Sequence, residues 1–147
     1  MLSEGKIQPQ LTNRCFGCGP ENPIGLKLRF RREGNKVETE FTPTEPYQGY
    51  PGYLHGGIVF AILDEAMGWA MYSLGVLAIT ARAEVRFKRP ALIGEPLLIT
   101  ATVIERRKKL ITTKATITRK DGTVVAEGTA SMMVGKEPED AKNPGSD

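Results

Sequence analysis

The chain has only one histidine, two cysteines and one tryptophan, and its formal net charge is just +3. Two cysteines and one histidine fall short of the four ligands of a structural zinc site. Two cysteines also make no disulfide framework. A redox role for Cys15-x-x-Cys18 would need a βαβ unit beside it, and the sequence offers a loop followed by a hairpin, so the pair reads as packed loop residues, with a metal site bridging two subunits as the alternative. A charge of +3 is too weak to argue for nucleic acid. No run of eighteen apolar residues free of charge exists, since the longest, Ile58 to Leu74, is broken by Asp64 and Glu65. A membrane-spanning helix is therefore not expected. The start, Met1 to Lys6, lacks the hydrophobic region of a signal peptide, so a cytoplasmic setting is expected.

What is present fits one globular domain: 147 residues, 40% hydrophobic and 25% charged. Residues 1–12 are polar and aperiodic and read as a flexible arm; residues 13–134 form the domain; residues 135–147 read as a disordered tail. After a loop dense in Gly, Pro and Asn, Leu26, Leu28 and Phe30 alternate with charged residues as a half-buried strand. Glu33-Gly34-Asn35 turns it into a second strand through Val37, Thr39 and Phe41. Proline and glycine crowd Thr42 to Leu54, a second loop. From about Gly56 to Leu74 helix formers dominate, with apolar side chains facing nearly every direction, the mark of a buried helix. The remainder alternates as strands, with a hairpin signal at Asp121-Gly122. The order predicts an α+β fold, an antiparallel sheet around one long central helix. A helix apolar on all sides needs the sheet on one flank and something more on the other, which points to a homo-oligomer.

Two features of this helix carry chemistry. At its start, His55-Gly56-Gly57 exposes backbone N–H groups that lack internal partners, where the macrodipole adds partial positive charge. Uncovered by side chains, the Gly57 N–H is open to a carbonyl oxygen, as in an oxyanion hole; the same glycines fit equally a tight loop-to-helix transition with no chemical role. Further along, Asp64 and Glu65 are the only charged residues between His55 and Tyr72. A carboxylate buried without partners has its pKa raised, which suits a general base; Asp64 is assigned that role, with Glu65 beside it as structural. Gly57 and Asp64 lie seven residues apart, about 10 Å along the axis, whereas a base must come within about 3 Å of its proton. If two copies pack with helices antiparallel, the Asp64 of one approaches the Gly57 of the other.

The segment from Gln48 through His55-Gly56-Gly57, followed by Ile62-Leu63-Asp64-Glu65-Ala66, resembles the PaaI-like hot-dog fold thioesterases, in the branch that includes the human thioesterase superfamily members 4 and 5. Cys15-Phe16-Gly17-Cys18-Gly19 with Asn22-Pro23, and Arg86 to Pro90 downstream, fit the same branch. The resemblance implies a helix wrapped by an antiparallel sheet and homodimers that pair into homotetramers. It implies hydrolysis of acyl-CoA without metal or organic cofactor. By position, Gly57 N–H polarises the thioester carbonyl, Asp64 is base or nucleophile, His55 shapes the oxyanion side, and Thr80 assists. Many relatives carry Asn or Gln about six residues before the histidine; here Gly49 stands there, with Gln48 beside it as a substitute.

Substrate contacts are expected from Gln48, Gly56 and Glu65, and from Lys88 and Arg89 toward the phosphates of CoA. Arg106 to Lys109 read as a solvated hairpin rim. The alternative function is a non-catalytic acyl-CoA or lipid-binding hot-dog module. A hydratase would want His55 and Asp64 acting together, and they stand too far apart in one chain.

Overall fold

A computed structural model describes residues 5–7 and 13–135. In chain order the elements are β1 (Gly5–Ile7), β2 (Phe30–Glu33), β3 (Lys36–Phe41), α1 (Gly56–Tyr72), β4 (Ala78–Phe87), β5 (Leu97–Arg107), β6 (Leu110–Arg119) and β7 (Val124–Val134). The strands form one sheet in the order β1-β2-β3-β5-β6-β7-β4, antiparallel throughout. The helix packs on β3 through β7.

Alternation in the long strands builds the seat for α1. Leu97, Ile99 and Ala101 of β5, Ile111, Ala115 and Ile117 of β6, and Ala126, Ala130 and Met132 of β7 are all buried. Against them lie Ile62, Leu63, Ala66, Met67, Ala70 and Met71 of α1. At Gly128 the helix packs close on the sheet: a Cβ there would stand 3.5 Å from Met67 Cε and 3.6 Å from Leu63 Cβ. Side chains such as Leu63 contribute about 1.5–3 kcal/mol each by leaving water. Truncating Leu63 to alanine would cost about 2–5 kcal/mol, because the β-strands cannot collapse into the gap.

The structure corrects two expectations. The strand expected from Leu26 begins only at Phe30. Lys27 has φ 54°, which breaks the extended chain. Leu26 and Leu28 instead bond through their N–H groups to the carbonyls of Phe16 and Gly17; both remain buried, so the alternation reported burial rather than pairing. Within the segment read as an arm, Gly5–Ile7 pairs with Phe30–Arg32. The sheet leaves one flank of the helix uncovered. Gly57 and Phe60 are exposed, and Ala61, Asp64 and Gly68 are half-buried. At helical spacing these fall on one face. The tail expected beyond residue 135 lies outside the described residues. Among the described residues no helix is long and apolar enough to cross a membrane.

Candidate active site

His55 caps α1. Its backbone is extended (φ −61°, ψ 135°) and its carbonyl accepts from the N–H groups of Ile58 and Val59 at 3.0 and 3.1 Å. The imidazole closes the cap, Nδ1 accepting from Gly57 N–H at 2.8 Å. An N-cap side chain normally satisfies one of these orphan donors, and the residue that serves here is a histidine. The amide expected to stand open for a carbonyl oxygen is thus engaged within the chain. A Cβ on Gly57 would lie 3.1 Å from His55 Nδ1, so the glycine leaves room for the ring.

Two turns further on, Asp64 Oδ1 accepts a 2.7 Å hydrogen bond from Thr80 Oγ1 of β4. Asp64 is half-buried and partnered, not sealed in the core as its apolar neighbours suggested. It projects from the uncovered face that also carries Gly57. Glu65, rotated about 100° away, turns to the N-terminal loop: its Oε1 accepts from Trp69 Nε1 at 3.2 Å and from Cys15 Sγ at 3.5 Å.

Three clefts meet at the glycine-rich tip. The largest, about 550 Å³, is lined by Gln48, Gly49, Tyr50, Tyr53, His55 and Gly56. One of about 310 Å³ lies between Tyr47, Gln48, His55 and Gly57. A third, about 180 Å³, joins Gly56 to Phe87, Lys88 and Arg89. Gln48 is held by its own loop, donating to Glu45 Oε1 at 3.0 Å and accepting from Gly52 N–H at 3.1 Å. At Gly49 a Cβ would lie 3.3 Å from His55 Cα and 3.5 Å from its Cδ2, so a longer side chain there would crowd the imidazole. Lys88 Nζ lies 3.1 Å from Glu127 Oε1. That hydrogen bond, reinforced by the charge of Lys88, holds the Glu127 carboxyl below its ordinary range.

The sequence model of the thioesterase superfamily matches residues 51–126, a span that contains His55, Gly57, Asp64, Thr80, Lys88 and Arg89. The chain belongs to the thioesterase superfamily. Among its relatives, human acyl-coenzyme A thioesterase 13 is 28% identical over 103 residues, covering 68% of this chain and 74% of that one. The acyl-coenzyme A thioesterase PaaI of Escherichia coli is 29% identical over 86 residues, 58% of this chain and 61% of that protein. The crystal structure of a thioesterase superfamily protein superimposes with a TM-score of 0.79 and 31% identity, over 84% of this chain and 61% of the other. The hot-dog fold of this thioesterase superfamily member follows: one long helix in the grip of an antiparallel sheet.

Of the expected site residues, His55, Gly56, Gly57 and Gln48 gather at the helix tip with Lys88 and Arg89, while Asp64 and Thr80 form a separate pair on the same helix face. Sequence reading missed Phe87, whose ring stands 3.7 Å from a Cβ built on Gly56. It also missed the meeting of Cys15, Cys18 and Glu65, whose ligand atoms all lie within 4.8 Å of one another. The four-residue step from Glu65 to Trp69 signals only that those two share a helix face; the approach of the cysteines is a long-range contact with no local signal.

Proposed function

We propose that this thioesterase superfamily member hydrolyses acyl-CoA thioesters, with each site assembled from two copies of the chain. The carrying observation is the Asp64–Thr80 pair, which stands on the uncovered face of α1 in line with Gly57. The names of the relatives supply the substrate class.

The dimer reading is supported by β4. It ends the sheet, and ten residues of its outer edge have no neighbour among the described strands. Its Ile79 and Phe87 are 74% and 58% exposed. A long unpaired edge of this kind is a template for pairing with another strand. Two copies joined along β4 by a two-fold axis would bring the bare helix faces together antiparallel. The tip of one copy would then face the Asp64 of the other.

In the proposed step the thioester oxygen replaces His55 Nδ1 as acceptor of the Gly57 N–H, and the imidazole turns aside to wall the cleft. The partner's Asp64, oriented by the partner's Thr80, takes a proton from water as the water oxygen attacks the carbonyl carbon. The C–S bond breaks, the acid departs, and the CoA thiolate takes up a proton. Lys88 and Arg89 face the phosphates of CoA. A binding-only reading draws on one observation, the Gly57 N–H already engaged by His55.

The test is release of free thiol from acyl-CoAs of graded length and aromatic character. Wild-type turnover no faster than Asp64→Asn across the panel would leave the binding module. Mixing Asp64→Asn with Gly57→Leu chains tests the shared site. Random pairing would restore about a quarter of wild-type activity, since each mixed dimer keeps one intact site. No recovery in demonstrably exchanged dimers would place tip and acid of each site in the same chain.

A further inference from the structure

The proposed thioester chemistry gives the two cysteines no task, yet the fold brings them to a third ligand. Cys15 Sγ, Cys18 Sγ and a Glu65 carboxylate oxygen lie within 4.8 Å of one another. Cys18 is buried; Cys15 and Glu65 are half-buried. We infer that these three side chains bind a zinc ion, with water in the fourth position.

The geometry is close to what zinc requires. Bonds of about 2.3 Å to sulfur and 2.0–2.2 Å to oxygen put the edges of a tetrahedron at about 3.5–3.8 Å. The Cys15 Sγ to Glu65 Oε1 separation is already 3.5 Å, and the other ligand pairs stand within 4.8 Å. Two sulfurs and one oxygen suit borderline-soft zinc, whereas magnesium and calcium want oxygen alone.

The backbone around the three ligands is built tightly enough to hold this arrangement. Gly19 N–H donates to Cys15 carbonyl at 2.8 Å, closing one turn that carries both cysteines. A Cβ on Gly19 would lie 2.4–2.6 Å from backbone atoms of Cys15 and Asn13, so only glycine permits the turn. A Cβ on Gly17 would lie 2.5 and 2.6 Å from Cδ and Oε2 of the Glu65 carboxyl group, and its absence is what lets the carboxylate reach the loop. Trp69 Nε1, donating to Glu65 Oε1 at 3.2 Å, is the outer hydrogen bond that fixes a metal-binding carboxylate in place. Zinc would tie the N-terminal loop to the middle of α1, one residue from Asp64 and turned away from it.

Binding is an exchange of protons for metal. Both thiols lose their protons, the S–H···O contact of Cys15 becomes an S–Zn–O edge, and about two protons appear in solution per zinc bound. The full chain, stripped with chelator and titrated with zinc chloride against a chromophoric indicator, is expected to take one equivalent with that proton release. Cobalt(II) in its place should show thiolate-to-metal charge-transfer absorption. Cys15→Ser and Cys18→Ser should abolish both signals, and Glu65→Gln should weaken zinc binding tenfold or more. Failure of the wild-type chain to compete with the indicator, or undiminished binding by Glu65→Gln, would overturn the assignment. Where a serine variant does not fold by circular dichroism, alkylation of the wild-type chain decides. Zinc should shield the half-buried Cys15 from a thiol reagent, and equal labelling of Cys15 with and without zinc would reject the site. None of these readouts passes through thioester hydrolysis.

Discussion

Thr80 Oγ1 and Asp64 Oδ1 meet at 2.7 Å although sixteen residues separate them in sequence. A hydroxyl donated to one carboxylate oxygen leaves the other to accept from water, and it fixes the rotamer of the acid. Thr80→Val should therefore lower kcat for acyl-CoA about tenfold with little change in KM, and Thr80→Ser should restore it. Equal kcat for wild type and Thr80→Val would remove Thr80 from the mechanism.

Asp64→Asn keeps the shape of the side chain and removes its basicity. Steady-state thiol release should fall about 100-fold or more, with thermal unfolding close to wild type because Asp64 is only half-buried.

The cap at His55 is a separate, structural quantity. His55→Ala removes the acceptor of Gly57 N–H and should cost about 1 kcal/mol, a fall in Tm of about 3–5 °C for a domain of this size. His55→Asn, which can cap in the same way, should recover most of the loss. Calorimetry of the three proteins checks this without reference to activity.

Lys88→Ala with Arg89→Ala should raise KM for acyl-CoA severalfold and steepen no other parameter, since both side chains line the cleft behind Gly56. The KM of a short acyl thioester lacking the CoA phosphates should not move. An unchanged KM for acyl-CoA would place the phosphates elsewhere.

Glu38 gives a pH dependence whose sign can be worked out. Burial acts to raise its pKa, but the hydrogen bond from Arg31 and the charges of Arg31 and Lys36 outweigh it. The carboxyl is thus held below its ordinary 4.5. Arg31 stands at 2.7 Å and Lys36 at 3.7 Å. A group depressed on folding stabilises the native state fully above its unfolded value and loses that contribution as pH falls through its folded one. Glu38→Gln should destabilise by about 1 kcal/mol at pH 7, and the gap in urea midpoints should close below about pH 4.5. A gap that persists in acid would assign the effect to packing.

Local order was open to inspection in the amino-acid sequence. The strand alternation, the Gly34 and Gly122 turns, the helix start at His55 and the candidate acid at Asp64 are all functions of residue type and short spacing, because side-chain period and backbone propensity act over a few residues. The family followed from a motif within the same reach. Tertiary structure decided the rest. It alone shows that Leu26 and Leu28 are buried without forming a strand, since Lys27 takes a left-handed conformation. It alone turns the imidazole of His55 onto Gly57 and leaves one face of α1 bare. It sends Glu65 to Cys15 and Trp69 rather than to Asp64's partner Thr80. Those outcomes depend on which surfaces of distant segments come into contact. Such contacts are set by the packing of the whole sheet on one helix, and no window of neighbouring residues contains them.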